Sequence, residues 1–268
     1  MTTTQSLMSL AIEAVNRAAE IVRTSQPGAL TAKGDRDMVS DVDLRIERET
    51  REFLLAAAPD IGFLGEENGH NGNRERYWAL DPVDGTANYV RGIPLCAVSL
   101  ALVDHGRPVV GVIRLPFLGQ LYTAEHSHGA YEGDRRLQVS TTTDLRDAIV
   151  AIGDYAVGDG ADGKNRTRLI LTRFLAEQAQ RVRMLGTAAI DLAWVAAGKV
   201  DASLTLSNKP WDMAAGALLV QEAGGRVADR DGTDYSASSA ATIAATPALT
   251  SELLALLARA EDRPAPAP

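Results

Sequence analysis

Hydrophobic and polar positions follow two different periods along the chain. Apolar residues at helical spacing predict an amphipathic helix from Leu7 to Val22 and a second helix over about residues 44–58. Short apolar runs between residues 61 and 115 are typical of strands joined by turns, and weaker runs extend this region. The first half of the chain is therefore predicted to form an antiparallel meander.

Beyond Thr143 the pattern changes to an alternation of strands and helices up to about residue 260. The stretch GDGADGKN, residues 158–165, is expected to be a flexible loop, and residues 261–268 are expected to be a disordered tail. We predict a single domain over residues 1–268 of the α/β (α+β) class, in which helices and sheets form layers. Its antiparallel-sheet half covers about 1–145, and its α/β half about 146–260.

Composition and charge limit the function. The 268 residues are 46% hydrophobic and 23% charged, which is ordinary for a globular protein. The net charge of −8 argues against nucleic-acid binding, and an anionic substrate would need charge compensation, for which a bound metal is the obvious means. No apolar run is long enough for a membrane span and no signal peptide is evident, so we expect a cytoplasmic protein without a membrane partner.

The stretch YWALDPVDGTANYV places two carboxylates, Asp81 and Asp84, at the end of an apolar run that reads as a buried strand. Carboxylates at the mouth of a strand are well placed to hold a hard cation such as Mg²⁺, which prefers oxygen ligands. The alternative is a solvated turn, because Asp, Pro and Gly all favour turns. The choice between the two depends on the rest of the chain.

Three further acidic segments favour the cation site. Glu66 and Glu67 follow an apolar run in FLGEENG, and Asp212 begins an alanine-rich helix. A third segment, KGDRDMVSDVD, contributes Asp37, Asp41 and Asp43 just before a helix. Each segment alone has a simpler explanation, such as a solvated loop or a helix N-cap. Together, these acidic junctions between elements predict a shared cation site.

A different phosphatase pattern can be excluded. Haloacid-dehalogenase phosphatases carry a strand that ends in D-x-D-x-T, with the first aspartate as a covalent nucleophile. Here the spacing is D-x-x-D, and proline follows Asp81.

The segments GEE, WALDPVDGTANYVRGIP and PWDMAAGALLVQEAGG, in this order, resemble the signature motifs of the inositol monophosphatase family. KGDRDMVSDVD and GTAAIDLAWVAAGKVDA match further family segments, so that the resemblance covers nearly the whole chain. It implies a layered αβαβα fold, like that of inositol monophosphatase and fructose bisphosphatase. It also implies Mg²⁺-dependent hydrolysis of a small phosphate monoester and sensitivity to Li⁺.

The resemblance assigns residues to two or three Mg²⁺ ions. Glu66, Asp81 and the carbonyl of Val83 would hold the first ion, and Asp81, Asp84 and Asp212 the second. Glu66 is also expected to bind a third, weaker ion through water. Two ions would polarise the phosphate and make hydroxide available at neutral pH.

The resemblance also assigns catalytic and substrate-binding residues. Thr86 and Asp43 would orient the attacking water, with Glu66 or Glu67 as further acid–base candidates. The backbone N–H groups of Gly85 and Thr86 would bind the phosphate. The other residues expected to contact the substrate are Val83, Asp84, Asp212, Gly186, Thr187 and Ala188. Lys33 matches a family lysine near a metal loop.

Thr205 departs from the family pattern. Inositol-selective relatives commonly have a glutamate seven residues before the aspartate of the second signature, and here that position is Thr205. Inositol monophosphate is therefore the default substrate, and histidinol phosphate, sugar phosphates, fructose 1,6-bisphosphate and 3′-phosphoadenosine 5′-phosphate remain alternatives. A non-catalytic interaction protein on the same fold is the other function class. A homodimer is expected, and the sequence leaves the physiological alcohol open.

Overall fold

The computed structural model describes residues 4–34 and 37–262. The predictions for the side chains of Lys33 and Asp37 and for residues 263–268 lie outside the described part. Within the described ranges, no helix is both long and apolar enough to cross a bilayer.

The first half of the chain builds an eight-stranded sheet with two long helices. The chain begins with α1 and α2, and a short hairpin of β1 and β2 lies between them. Ser40 caps α2, since its side chain accepts from the Asp43 N–H while the Asp43 side chain accepts from the Ser40 N–H. The elements of this half are α1 (Thr4–Thr24), β1 (Leu30–Gly34), β2 (Asp37–Ser40), α2 (Asp41–Ala57), β3 (Gly62–Gly65), β4 (Gly69–Asn71), β5 (Arg76–Asp84), α3 (Thr86–Val90), β6 (Ala97–Asp104), β7 (Arg107–Leu115), β8 (Gln120–Glu125), β9 (Gly129–Glu132) and β10 (Arg135–Arg136).

The prediction of an antiparallel meander is right for most of this sheet and wrong at one end. The strand order is β10-β9-β8-β7-β6-β5-β3-β4, with antiparallel pairing from β5 to β10. However, β3 runs parallel to β5, with Gly65 opposite Leu80, and β4 folds back onto the outer edge of β3. Because β3 and β5 are parallel, their carboxyl ends meet at the same edge of the sheet.

The second half contains a five-stranded mixed sheet. The strand order is β12-β11-β13-β15-β14, in which β11 is parallel to β12 and β13. β15 is antiparallel to both of its neighbours, and the sequence pattern predicted neither β14 nor β15. The elements are β11 (Ile149–Ile152), α4 (Ala161–Gln178), β12 (Arg181–Arg183), α5 (Ala188–Ala196), β13 (Ala202–Thr205), α6 (Pro210–Glu222), β14 (Arg226–Ala228), β15 (Thr242–Ala245) and α7 (Pro247–Glu261).

The predicted flexible loop at 158–165 is partly helical, because α4 begins at Ala161. Asn165 fixes the entry to this helix, since its side chain accepts from the Ala156 N–H and donates to the Ala156 carbonyl. The prediction of a loop over residues 161–165 was therefore wrong. The glycine-rich composition argued against a helix, because glycine has a low helix propensity. The contact between Asn165 and the Ala156 backbone, nine positions earlier, outweighs this propensity.

The elements stack in five layers. α1 and α2 pack on one face of the large sheet, while α5 and α6 lie between the two sheets. α4 and α7 cover the outer face of the small sheet. The αβαβα prediction is confirmed. The middle layer is close-packed because small residues allow it: a Cβ on Gly216 of α6 would lie 2.5 Å from the Leu192 Cβ of α5.

Candidate active site

A β-bulge brings Asp81 and Asp84 to one face of the large sheet. Asp81 lies opposite Ser99 and Asp84 opposite Ala97, so that three steps along β5 match two steps along β6. Two residues separated by three positions would otherwise point to opposite faces of a strand. Both carboxylates are buried, and Asp81 Oδ1 accepts from the Val83 N–H at 3.0 Å. The D-P-x-D spacing is therefore the sequence signature of the bulge.

Parallel pairing of β3 with β5 places Glu66 beside this bulge. The Glu66 N–H donates to the Leu80 carbonyl at 3.3 Å, which continues the ladder by one residue past β3. Glu47, buried on α2, holds the turn that follows. Its two carboxylate oxygens accept from the N–H groups of Glu67 (2.7 Å) and Asn68 (2.9 Å). The sequence analysis missed Glu47, which lies four residues after Asp43 and therefore on the same face of α2.

Gly65 explains why Glu47 can approach this turn. A Cβ at this position would lie 2.2 Å from the Glu47 carboxyl carbon, so that any larger residue would displace the carboxylate. Glycine at the end of β3 thus leaves room for the buried side chain of Glu47, which reaches over it from α2.

Asp212 reaches the same place from the middle layer. It lies in the first turn of α6, which begins with Pro210, and its N–H donates to the Lys209 carbonyl at 3.0 Å. The next contact ties α6 to the sheet, because the Ser99 hydroxyl donates to the Trp211 carbonyl at 3.2 Å. Since Ser99 is the strand partner of Asp81, this hydrogen bond sets Asp212 against Asp81.

Glu66, Asp81 and Asp212 form a carboxylate cluster in which one oxygen from each residue lies within 4.8 Å of the other two. Burial raises the pKa of Asp81 well above its ordinary value, and the charges of Glu66, Asp84 and Asp212 raise it further. The pKa of Asp212 is raised by burial and by the charges of Asp84 and Glu66. The three carboxylates repel one another at this spacing. A hard divalent cation bound between them would attract each carboxylate and so offset the repulsion.

Asp84 differs from its neighbours because hydrogen bonds engage one of its oxygens. Oδ2 accepts from the Thr187 hydroxyl at 2.5 Å and from the Ala189 N–H at 2.6 Å, at the N-terminus of α5. Burial raises the pKa of Asp84 to about 6, against the opposing effect of these two donors. Asp84 lies outside the set of three carboxylates whose oxygens lie within 4.8 Å of one another, although its charge raises the pKa of Asp81 and of Asp212.

Asp43 and Thr86 meet above the bulge. The Thr86 hydroxyl lies 3.3 Å from Asp43 Oδ1 and 3.0 Å from the Val83 carbonyl, so its single proton is shared between two acceptors. The other Asp43 oxygen accepts from the N–H and the hydroxyl of Ser40. Asp43 is almost fully buried, and burial raises its pKa, opposed by the hydrogen bonds from Ser40. The helix cap of α2 thus also orients a carboxylate towards Thr86.

Gly85 is required by its conformation and by its surroundings. Its φ of +91° lies in the left-handed region, and a Cβ would lie 3.0 Å from the Leu95 carbonyl and 3.2 Å from the Gly186 carbonyl. Asn88 completes this contact between the two halves, since its amide donates to the carbonyls of Leu95 and Leu185 at 2.8 Å each. The sequence analysis gave Asn88 no role, although it lies in the first signature segment.

The segment Gly186–Ala188 and Thr205 lie across from the cluster. Gly186 has a φ of +74°, and Thr187 caps α5 by accepting from the Ile190 N–H. The segment and Thr205 line a cavity of about 180 Å³, and Asp84 and Asp212 line it as well. Thr205 is buried at the end of β13 and faces this cavity. A larger adjoining cavity of about 650 Å³ is lined by residues that include Glu66, Gly85, Thr86 and Gly186.

A sequence model of the inositol monophosphatase family matches residues 3–262. This chain belongs to the inositol monophosphatase family. Among the similar proteins, the inositol-1-monophosphatase of Rhizobium meliloti is 39% identical over 235 residues, which cover 85% of this chain and 86% of the relative. The Nus factor SuhB of Xylella fastidiosa is 41% identical over 202 residues, covering 75% of this chain and 72% of the relative.

Solved structures agree with this membership. The extragenic suppressor protein suhB from Bartonella henselae superposes with a TM-score of 0.87 at 36% identity, covering 94% of this chain and 98% of the other. The inositol monophosphatase from Anabaena sp. PCC 7120 superposes with a TM-score of 0.85 at 31% identity, covering 96% of each chain. The family is of the phosphatase type and is metal-dependent, and the resemblance read from the sequence is confirmed.

Proposed function

We propose that this inositol monophosphatase family member is a Mg²⁺-dependent phosphoric monoester hydrolase that acts on a small phosphorylated alcohol. The observation that carries the proposal is the convergence of Glu66, Asp81 and Asp212, from two strand ends and a helix start, beside the Asp43–Thr86 pair. Buried carboxylates that repel one another are unfavourable unless a cation or a proton compensates them. The arrangement has its simplest explanation as a cation site at the mouth of a cavity.

The proposed metal ligands are the carboxylates of Glu66, Asp81, Asp84 and Asp212 and the carbonyl of Val83. Mg²⁺ bound there would act as a Lewis acid towards the phosphate and lower the pKa of a bound water. Asp84 offers Oδ1 to this site, because Oδ2 is held by Thr187 and Ala189.

Asp43 and Thr86 are the proposed catalytic pair, with Glu66 as a further acid–base group. When the Thr86 hydroxyl donates to Asp43, its lone pairs are available to accept a proton from the attacking water. Burial supports Asp43 as the final acceptor, because it raises the pKa of this carboxyl group. The backbone N–H groups of Gly85 and Thr86 are proposed to hold the phosphate oxygens.

The alcohol is proposed to bind on the other side, against Gly186, Thr187, Ala188 and Thr205, with Asp84 and Asp212 between the two sides. All of these residues line the cavity of about 180 Å³, which has room for a small alcohol. Inositol monophosphate remains the default substrate, and the other phosphorylated alcohols named above remain alternatives.

The test is phosphate release by the purified protein from a panel of monoesters, with Mg²⁺ and with a chelator. We expect Mg²⁺-dependent turnover, with the ranking of kcat/KM identifying the alcohol. Binding of Mg²⁺ without turnover of any monoester would contradict the proposal. Sedimentation of the same sample would test the expected homodimer, and fractionation of cells the expected cytoplasmic location.

Some relatives support a second candidate function. The proteins from Xylella fastidiosa and Pasteurella multocida, 41% and 33% identical to this chain, are named Nus factor SuhB. A role as a Nus factor is therefore possible on this fold beside or instead of hydrolysis. If an Asp212→Asn variant that lacks hydrolysis restores the growth of a deletion strain as well as the wild type does, the Nus-factor role is favoured.

A further inference from the structure

Asp191 is a buried carboxyl group that the proposed mechanism does not use. It lies one turn into α5, and only 1% of its surface is exposed. Within residues 4–34 and 37–262, no group forms a hydrogen bond with its Oδ1 atom. Buried polar atoms in proteins nearly always have a partner, so an unpaired carboxyl oxygen requires an explanation.

The position of Asp191 suggests the explanation. Asp191 is one of the residues that line the cavity of about 180 Å³, together with Thr205, Ser207 and the Gly186–Ala188 segment. Burial raises its pKa well above the ordinary value, and the charges of Asp84 and Asp154 raise it further. No lysine or arginine lines this cavity among the described residues, and the charge of Lys209, which lies outside the lining, lowers the pKa of Asp212 only in part against burial.

Thr205 offers the cavity a hydroxyl group in place of a carboxylate, and Asp191 is able to supply a carboxyl group there. Thr205 packs against Gly153, where an added Cβ would lie 3.0 Å from the Thr205 methyl group and 3.1 Å from its hydroxyl oxygen. A threonine is a weaker acceptor than a carboxylate. Strand β13, with Thr205, therefore brings no carboxyl group to this cavity, whereas α5 brings that of Asp191.

We propose that Asp191 is a specificity-determining residue that takes a hydrogen bond from a hydroxyl or ammonium group on the alcohol half of the substrate. The inference rests on the proposed hydrolase function. It assigns the substrate class as a phosphorylated polyol or amino alcohol. An alcohol with a second phosphate is disfavoured, because Asp154 and Asp191, which are not among the proposed metal ligands, also line the cavity.

The test compares kcat/KM for inositol 1-phosphate, histidinol phosphate and methyl phosphate, whose alcohol carries no donor. In Asp191→Leu, we expect kcat/KM of the preferred donor-bearing substrate to fall about tenfold relative to methyl phosphate, or about 1.4 kcal/mol. The Asp191→Asn variant distinguishes a hydroxyl donor on the substrate from an ammonium donor. An amide oxygen still accepts from a hydroxyl, whereas an ammonium group loses its charged partner. Most of the selectivity is retained in this variant for a polyol and lost for an amino alcohol.

Asp147→Asn is the matched control, because Asp147 is exposed and lies outside the cavity. Equal changes for all three substrates in folded Asp191→Leu would overturn the inference, and so would a wild-type preference for fructose 1,6-bisphosphate. If Asp191→Leu does not fold, Asp191→Ala, which also removes the carboxyl group, carries the test. The absence of wild-type turnover on every ester would instead contradict the proposed function.

Discussion

The proposed site has a metal-facing side, formed by Glu66, Asp81 and Asp212, and an alcohol-facing side, formed by Gly186–Ala188, Asp191 and Thr205. On the metal-facing side, the sheet register and the Ser99–Trp211 hydrogen bond fix the carboxylates, and Glu47 holds the adjoining turn. On the alcohol-facing side, the groups come from the start of α5 and the end of β13, in the other half of the chain. Asp84 and Asn88 connect the two sides.

This difference separates chemistry from specificity. The metal-facing carboxylates keep their spacing because strand pairing is rigid, so a substitution there is expected to affect every substrate. Under the proposed function, the alcohol-facing residues would contact only the leaving group, and a substitution there is expected to change the order of substrates. The five predictions below test this division, from the largest expected effect to the smallest.

Asp212→Asn and Asp84→Asn should both remove most of the activity, by at least about a hundredfold, because a neutral amide binds Mg²⁺ poorly. Their stabilities should differ. Asp84→Asn should lower Tm, since Asp84 accepts two hydrogen bonds from α5, whereas Asp212→Asn should leave Tm equal or higher by removing repulsion. Phosphate release and thermal unfolding in chelator measure both effects. Near-normal turnover in either folded variant would remove that residue from the metal-facing side.

Thr86→Ala should lower kcat by about a hundredfold, the lower end for loss of a general acid–base group, with little change in the Mg²⁺ requirement. Thr86→Ser retains the hydroxyl and should keep most of the activity. Steady-state kinetics at saturating Mg²⁺ provide the measurement. If the alanine and serine variants are equally impaired, the hydroxyl proton has no role and the methyl group or the packing matters instead.

Glu47→Gln should weaken Mg²⁺ activation about tenfold, because an amide has only one oxygen to accept the two N–H groups of the Glu66 turn. Glu49→Gln is the control, since Glu49 is an exposed residue of the same helix that pairs with Arg45. The Mg²⁺ concentration for half-maximal activity and the Mg²⁺-induced shift in Tm give two readouts. Equal behaviour of the two variants would show that the turn holds its position without Glu47.

Thr205→Glu should raise kcat/KM for inositol 1-phosphate relative to glycerol 2-phosphate by up to about tenfold, through a charge-assisted hydrogen bond. The effect is limited because Gly153 packs against this position and the cavity is small. Thr205→Gln is a control of the same size without the charge. A proportional change for both esters would place Thr205 outside the alcohol-facing side.

The metal-free protein should become more stable as the pH is lowered from about 7 towards 5. Burial raises the pKa of Asp84 from its ordinary value of 3.8 to about 6 in the folded protein, and the pKa values of Asp81 and Asp212 are also raised. Below pH 6 the folded state therefore binds protons before the unfolded state does, which stabilises it. Mg²⁺ should flatten this profile by compensating the same charges. A Tm in chelator that falls steadily from pH 7 to pH 5 would contradict the raised values.

The sequence alone determined the features that depend on local spacing. Helical periodicity located most of the long helices, and D-P-x-D at a strand end, followed by Asp212 at a helix start, indicated a cation site. The helix predictions are confirmed, and the predicted carboxylates do converge into a group that could hold a metal, because side-chain direction follows from residue spacing within one element. The same signature segments identified the family, and with it the five-layer fold, which no periodicity could have given.

Only the tertiary structure decided how the elements meet. Local pattern cannot distinguish a parallel from an antiparallel neighbour, so the pairing of β3 with β5, which places Glu66 beside Asp81, was missed. Nor can it reveal a partner distant in sequence, such as Glu47 for the Glu66 turn or α5 for Asp84. The lack of a hydrogen bond at Asp191 Oδ1 is likewise a property of the packed molecule. Whether a carboxylate binds metal, caps a helix or awaits a ligand depends on which donors surround it, and folding alone brings those donors together.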